Sequence, residues 1–179
     1  MTGYDPCCRE TVGVLIADEA GRLLMFARQQ PPPGVAPVAG HVGEHGDFES
    51  AARAEVAEEV GLTVVRLEEL ARGWRSTWCR RGSDGHMWRI YRAEVSGTLQ
   101  LKPDEAANAG WYGPAELQVL ADLTVAHARG ELLAAAFEVA PGLEPVWVSW
   151  LAELGHIIVP AADLAAVEAL AQQAPEGAR

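Results

Sequence analysis

The sequence predicts an α/β layered sandwich. Two observations carry this. Short apolar runs rich in β-branched residues stand on both sides of one central helical stretch, and the pattern beyond residue 114 turns helical. Residues 11–18 (TVGVLIAD) are the first such run, and Asp18-Glu19-Ala20-Gly21 supplies a turn. Residues 22–28 then read as the return strand of a hairpin. Pro31, Pro32 and Pro33 break regular structure ahead of a Gly-rich segment. After the central helix, residues 63–70 form a strand. Residues 73–79 and 86–95 pair across Asp84-Gly85, a strong turn signal, with short strands at 98–101 and 110–112.

The C-terminal half follows helical rules. Pro114 suits a first turn and opens a helix through Ala121. A second helix is expected near residues 124–138. Pro145 opens an amphipathic helix anchored by Val146, Trp147, Trp150 and Leu154, and residues 161–173 make a last one. Residues 1–140 are expected to form one domain. Residues 141–179 are expected to form a helical extension, packed on that domain or set at a dimer contact.

The central helix is the most informative element. Glu55, Glu58 and Glu59 stand at i, i+3 and i+4, which on a helix places them within one arc of about 100°. Ala52, Val56 and Val60 fall on the adjoining arc and face a core. Asp47 is an expected N-cap, and Gly61 fits the position just past the helix. Like charges at helical spacing repel, and a hard divalent cation with oxygen ligands offsets that repulsion. A bare E-x-x-E-E is more often a solvated face. Here the triplet sits in an ordered frame, with Gly40, Gly43 and Gly46 before it.

That frame resembles the Nudix box, whose pattern is G-x5-E-x7-R-E-U-x-E-E-x-G-U with U bulky and aliphatic. Gly40, Glu55, Val56, Glu58, Glu59, Gly61 and Leu62 fall on its positions. Two positions depart from it. Gly46 stands where the family has Glu, with Asp47 next door. Ala54 stands where the family has Arg, with Arg53 next door. Weaker likeness runs through about residues 10–122, ending at Trp111, Glu116 and Leu117. The resemblance implies a Nudix-like α/β/α sandwich with a mixed sheet, to which this chain adds C-terminal helices. It also implies Mg²⁺ or Mn²⁺ held by Glu55, Glu58, Glu59 and the Gly40 carbonyl. The implied activity is hydrolysis of the pyrophosphate linkage of a nucleoside diphosphate linked to another group. The two departures motivate an alternative: a weak or inactive Nudix domain that binds a nucleotide-like ligand as a sensor.

A general base must accept the proton of the attacking water. Glu105, six residues before Trp111, is the favoured carboxylate, as base or further metal ligand, with Asp104 as fallback. His41, Arg28 and Trp88 are the expected substrate contacts. His41 equally suits a loop-ordering role. The arginines at 72, 75, 80, 81, 89 and 92 suit either a phosphate grip or solvated strand edges. Cys8, Cys79 and His86, with Cys7 adjoining, offer soft ligands of the kind zinc takes. No Cys-x-x-Cys pair is present and free cysteines are common in cores, so unligated cysteines are the preferred reading.

Composition bounds the rest. The chain has 179 residues and a formal net charge of −11, which disfavours a nucleic-acid polymer as partner. A small nucleotide-type substrate held through metal ions remains compatible with that charge. No apolar run reaches membrane-spanning length, and the N-terminus has no secretory pattern, so a cytoplasmic location is expected.

Overall fold

A computed structural model describes residues 6–102 and 106–174. Among them lie seven strands: β1 (Glu10–Ile16), β2 (Leu23–Arg28), β3 (Val35–Ala36), β4 (Val38–His41), β5 (Thr63–Arg75), β6 (His86–Ser96) and β7 (Ala106–Tyr112). Five α-helices follow in the same count: α1 (Phe48–Val60), α2 (Pro114–Ala128), α3 (Ala134–Val139), α4 (Pro145–Glu153) and α5 (Ala161–Ala171). A mixed sheet runs β4-β1-β6-β5, with β1 and β6 parallel and the outer pairs antiparallel. A second, antiparallel sheet runs β3-β2-β7.

Alternation along β1 divides the core into two layers. Val12, Val14 and Ile16 pack with Ala51, Ala52, Val56 and Val60 of α1. Leu15 points the other way, into a cluster with Leu117, Ala121, Trp147, Trp150 and Val167 of the C-terminal helices. Helices therefore cover the strands from both sides, as the α/β/α sandwich expectation requires. Gly13 lets this happen: a Cβ there would lie 2.3 Å from the Trp147 ring. Helix α4 is buried along Pro145–Leu151, not amphipathic as its sequence suggests. Trp88 stacks edge-on to Trp147, with ring centroids 5.7 Å apart. Residues 143–151 thus belong to the same core as the N-terminal strands.

Several local expectations are corrected. The β1–β2 hairpin reduces to a single bridge, Ala17 to Leu23, because the two strands diverge into different sheets. The two strands expected at 63–70 and 73–79 are one long strand, β5, which carries register shifts after Val64 and Glu69 and ends at Arg75. Residues 98–101 are not a strand. The helix expected at 124–138 is cut at Gly130, which adopts φ +73°, so α2 ends and α3 begins anew. No helix among the described residues is long and apolar enough to cross a membrane.

Candidate active site

Both ends of α1 are built as the sequence implies. The Asp47 side chain accepts from the Ser50 N–H at 2.7 Å, and Gly61 closes the helix in a left-handed conformation. Between them the acids separate by environment. Glu59 is 7% exposed, Glu55 is half-buried and Glu58 is exposed. The Ala39 N–H donates to Glu59 Oε2 at 3.2 Å, tying the helix to strand β4. Glu55 lies against Gly40 of the same strand, and a Cβ at position 40 would meet Glu55 Oε1 at 1.7 Å. Only glycine at this position leaves room for that carboxylate where it stands.

Glu55 and Glu59 open on a cleft of about 680 Å³. Glu44, Arg28, Arg81, His41 and His45 share its wall, and Glu58 lies outside it. A smaller cavity adjoins through Arg28, Gln30, Gly40 and His41 and reaches inward to Glu144. Arg28 pairs with Glu144 at 3.3 Å. Burial pushes the Glu144 carboxyl up, and Arg28 opposes that shift. The other sequence-nominated arginines divide differently. Arg72 and Arg89 pair with Glu69 and Arg92 with Glu68 on the outer surface, while Arg75 pairs with Glu153 and lies over the Trp150 ring. Arg81, by contrast, lines the cleft.

The two departures from the box have structural counterparts. Gly46 has φ +87°, a left-handed conformation at the end of the 3-10 turn Gly43–His45. Asp47, its neighbour, is committed to capping the helix. Glu44 is instead the acid that this loop sends to the cleft. Arg53 turns away from the three glutamates and donates to the Val64 carbonyl at 3.0 Å.

Trp88 is 5% exposed, packed in the core through its parallel pairing with Thr11, and meets only the inner cavity. The exposed tryptophans are Trp74 and Trp111. The His41 ring turns toward His86, and its imidazole pKa is pushed down to about 4 by burial first and His86 second. Cys8 does not join Cys79 and His86: its thiol reaches the Glu10 carbonyl, while Cys7 takes the inward place. Glu105 and Asp104 lie outside the described residues. Sequence reasoning did not single out Glu144 as a site residue, because nothing in Gly-Leu-Glu-Pro marks an acid buried beside Arg28.

The NUDIX domain model matches residues 9–135. The chain belongs to the Nudix family. An RNA pyrophosphohydrolase of Caulobacter vibrioides is 33% identical over 165 residues, covering 82% of this chain and 96% of that protein. Among solved structures, a NUDIX hydrolase from Nitrosomonas europaea matches 64% of this chain and 77% of its own, at 17% identity and a TM-score of 0.52. The NUDIX domain of Shewanella oneidensis NrtR, complexed with ADP ribose, covers the same shares at 15% identity and a TM-score of 0.50. These structures share the fold. Family and relative together support a Nudix pyrophosphohydrolase.

Proposed function

We propose that this Nudix protein hydrolyses the pyrophosphate linkage of a nucleoside diphosphate joined to another group, using Mg²⁺ or Mn²⁺. The observation that carries the reading is the pairing of Glu55 and Glu59 at one cleft, with Gly40 vacating the space between helix and strand. Carboxylate and carbonyl oxygens are the donor set that hard divalent cations take, so the residues fit the ions. Glu55, Glu59 and the Gly40 carbonyl would hold them, and Glu58, the third acid that the resemblance nominates, would join only by turning in from outside the cleft. When bound, such ions neutralise phosphate charge and acidify water.

The chain's own residues supply the rest. Arg81, and Arg28 alongside its ion pair with Glu144, line the cleft and would bind phosphate oxygens there. The Ala39 N–H fixes one Glu59 oxygen and so sets the carboxylate plane. Glu44 takes over the acidic role that Gly46 leaves vacant in the box. The proton of the attacking water is assigned to Glu105 on sequence grounds alone. His41 keeps a loop-ordering role at the cleft rim, and Trp88 supports the inner cavity from the core.

A phosphate-release screen with Mg²⁺ and Mn²⁺ tests the reading. The panel is nucleoside triphosphates, sugar nucleotides, ADP-ribose, dinucleotides and, because the Caulobacter relative is named for RNA, a 5′-triphosphorylated RNA oligonucleotide. A net charge of −11 weighs against the polymer and ranks the small nucleotides first. Turnover of any small nucleotide supports the hydrolase. Tight binding without turnover favours the sensor, a reading that the missing box Arg motivates. Neither binding nor turnover across the panel overturns both.

A further inference from the structure

We propose that Cys7, His41, Cys79 and His86 form a zinc site, separate from the carboxylate site and built of soft ligands. The four ligand atoms all lie within 4.8 Å of one another. They come from four places in the chain: the segment before β1, the end of β4, the loop before β6, and the first residue of β6. No sequence motif brings them together.

Three of the six distances between the ligand atoms match the edges of one tetrahedral ion, and all six lie within 4.8 Å. With Zn–S and Zn–N bonds of ~2.3 Å and ~2.05 Å, the edges of the tetrahedron are ~3.3 Å for N···N and ~3.6 Å for S···N. The His41 and His86 Nε2 atoms are 3.2 Å apart. Cys7 Sγ lies 3.3 Å from His86 Nε2, and Cys79 Sγ lies 3.7 Å from His41 Nε2. Two sulfurs and two imidazole nitrogens gathered this closely are the donor set that zinc takes. Two thiolates and two neutral imidazoles also cancel the double charge of Zn²⁺, so the assembled unit is neutral and tolerates Arg9, Arg80 and Arg81 nearby.

The surroundings serve the same ligands. His86 Nδ1 is 2.9 Å from the Thr77 hydroxyl, which holds the ring and leaves Nε2 facing the cluster. Each cysteine sulfur accepts a backbone N–H from two residues on: Arg9 to Cys7 at 3.3 Å and Arg81 to Cys79 at 3.4 Å. Arg9 also adopts φ +63°, a conformation costly for a residue with a side chain. The Arg9 guanidinium then clamps Asp84 at 2.5 Å and joins the N-terminal segment to the loop that carries Cys79. His41, Cys79 and His86 border the inner cavity, which provides a path for the ion. Because His41 follows Gly40, zinc here would brace the end of strand β4 beside the carboxylate site without taking part in its chemistry.

The test uses full-length protein expressed without a polyhistidine tag and purified under reducing conditions without chelator. Elemental analysis is expected to find about one zinc per chain. Cys7→Ser and Cys79→Ser should each lose it, Cys8→Ser should keep it, and so should the double variant Glu55→Gln/Glu59→Gln. Should the cysteine variants fail to fold, wild-type protein loaded with Co²⁺ gives the second readout: tetrahedral d–d absorption with a thiolate-to-cobalt band. The proposal is overturned by wild-type protein that holds less than about a tenth of a zinc after reconstitution. Equal loss in Cys8→Ser and Cys7→Ser overturns it too, as does a Cys7–Cys79 disulfide in the intact mass.

Discussion

Glu55 occupies the space that a side chain at Gly40 would fill: Oε1 would lie 1.7 Å from a Cβ there. The contact joins the first residue of the box to the first of its three helical glutamates across fifteen positions of sequence, and it makes an experiment. Gly40→Ala leaves the backbone in a conformation open to any residue, and only the end of a flexible side chain must move. Thermal stability should therefore hold, within about 1 kcal/mol, while metal-dependent turnover falls by roughly 10–100-fold. Unchanged turnover in a folded variant would show that the Glu55 position is not needed.

Glu59 is the buried acid of the set and is anchored by Ala39. Glu59→Gln keeps the volume and an acceptor for that N–H but removes the charge. The expected outcome is loss of Mg²⁺-dependent hydrolysis by at least about 100-fold, with a metal-free melting temperature near that of the parent. Calorimetric Mg²⁺ titration separates the explanations: cation uptake should weaken together with the rate.

Gly46 stands where the box has a carboxylate, in a left-handed turn with nothing within 4 Å of a would-be Cβ. Gly46→Glu therefore meets no clash but pays about 1 kcal/mol in backbone conformation. For a chain of 179 residues that cost lowers the melting temperature by roughly 2–4 °C. Thermal unfolding monitored by circular dichroism measures it, and no shift at all would contradict the assigned conformation.

Trp147 is fully buried between Gly13 and Trp88. Trp147→Ala should destabilise the fold by about 3–5 kcal/mol. Turnover per folded molecule should persist at low temperature, because the carboxylates lie on the other side of the sheet. Deleting residues 141–179 removes Leu143, Trp147 and Trp150 from the core and should abolish cooperative unfolding altogether. A truncated chain that melts sharply would show that the extension is a separate unit.

Helix α1, its Asp47 cap, its Gly61 stop and the spacing of its three glutamates are local properties, and residue order alone determined them. The same holds for the α/β pattern, since apolar runs and turn residues act over a few positions. Arg53 turns away for an equally local reason: one residue along a helix rotates a side chain by about 100°. Other features depended on partners distant in sequence. Strands β1 and β2 look like a hairpin until each finds its own sheet. Trp88 reads as a substrate contact until parallel pairing with β1 seals it in the core, and α4 reads as amphipathic until helices and sheet cover it. Cys7 rather than Cys8 turns inward because the backbone at Arg9 rotates that way, and His41 meets His86 only because β4 and β6 flank β1. Spacing along the chain carries no information about such meetings: side chains 79 residues apart, as Cys7 and His86 are, come within 3.3 Å only once the sheet has set their registers.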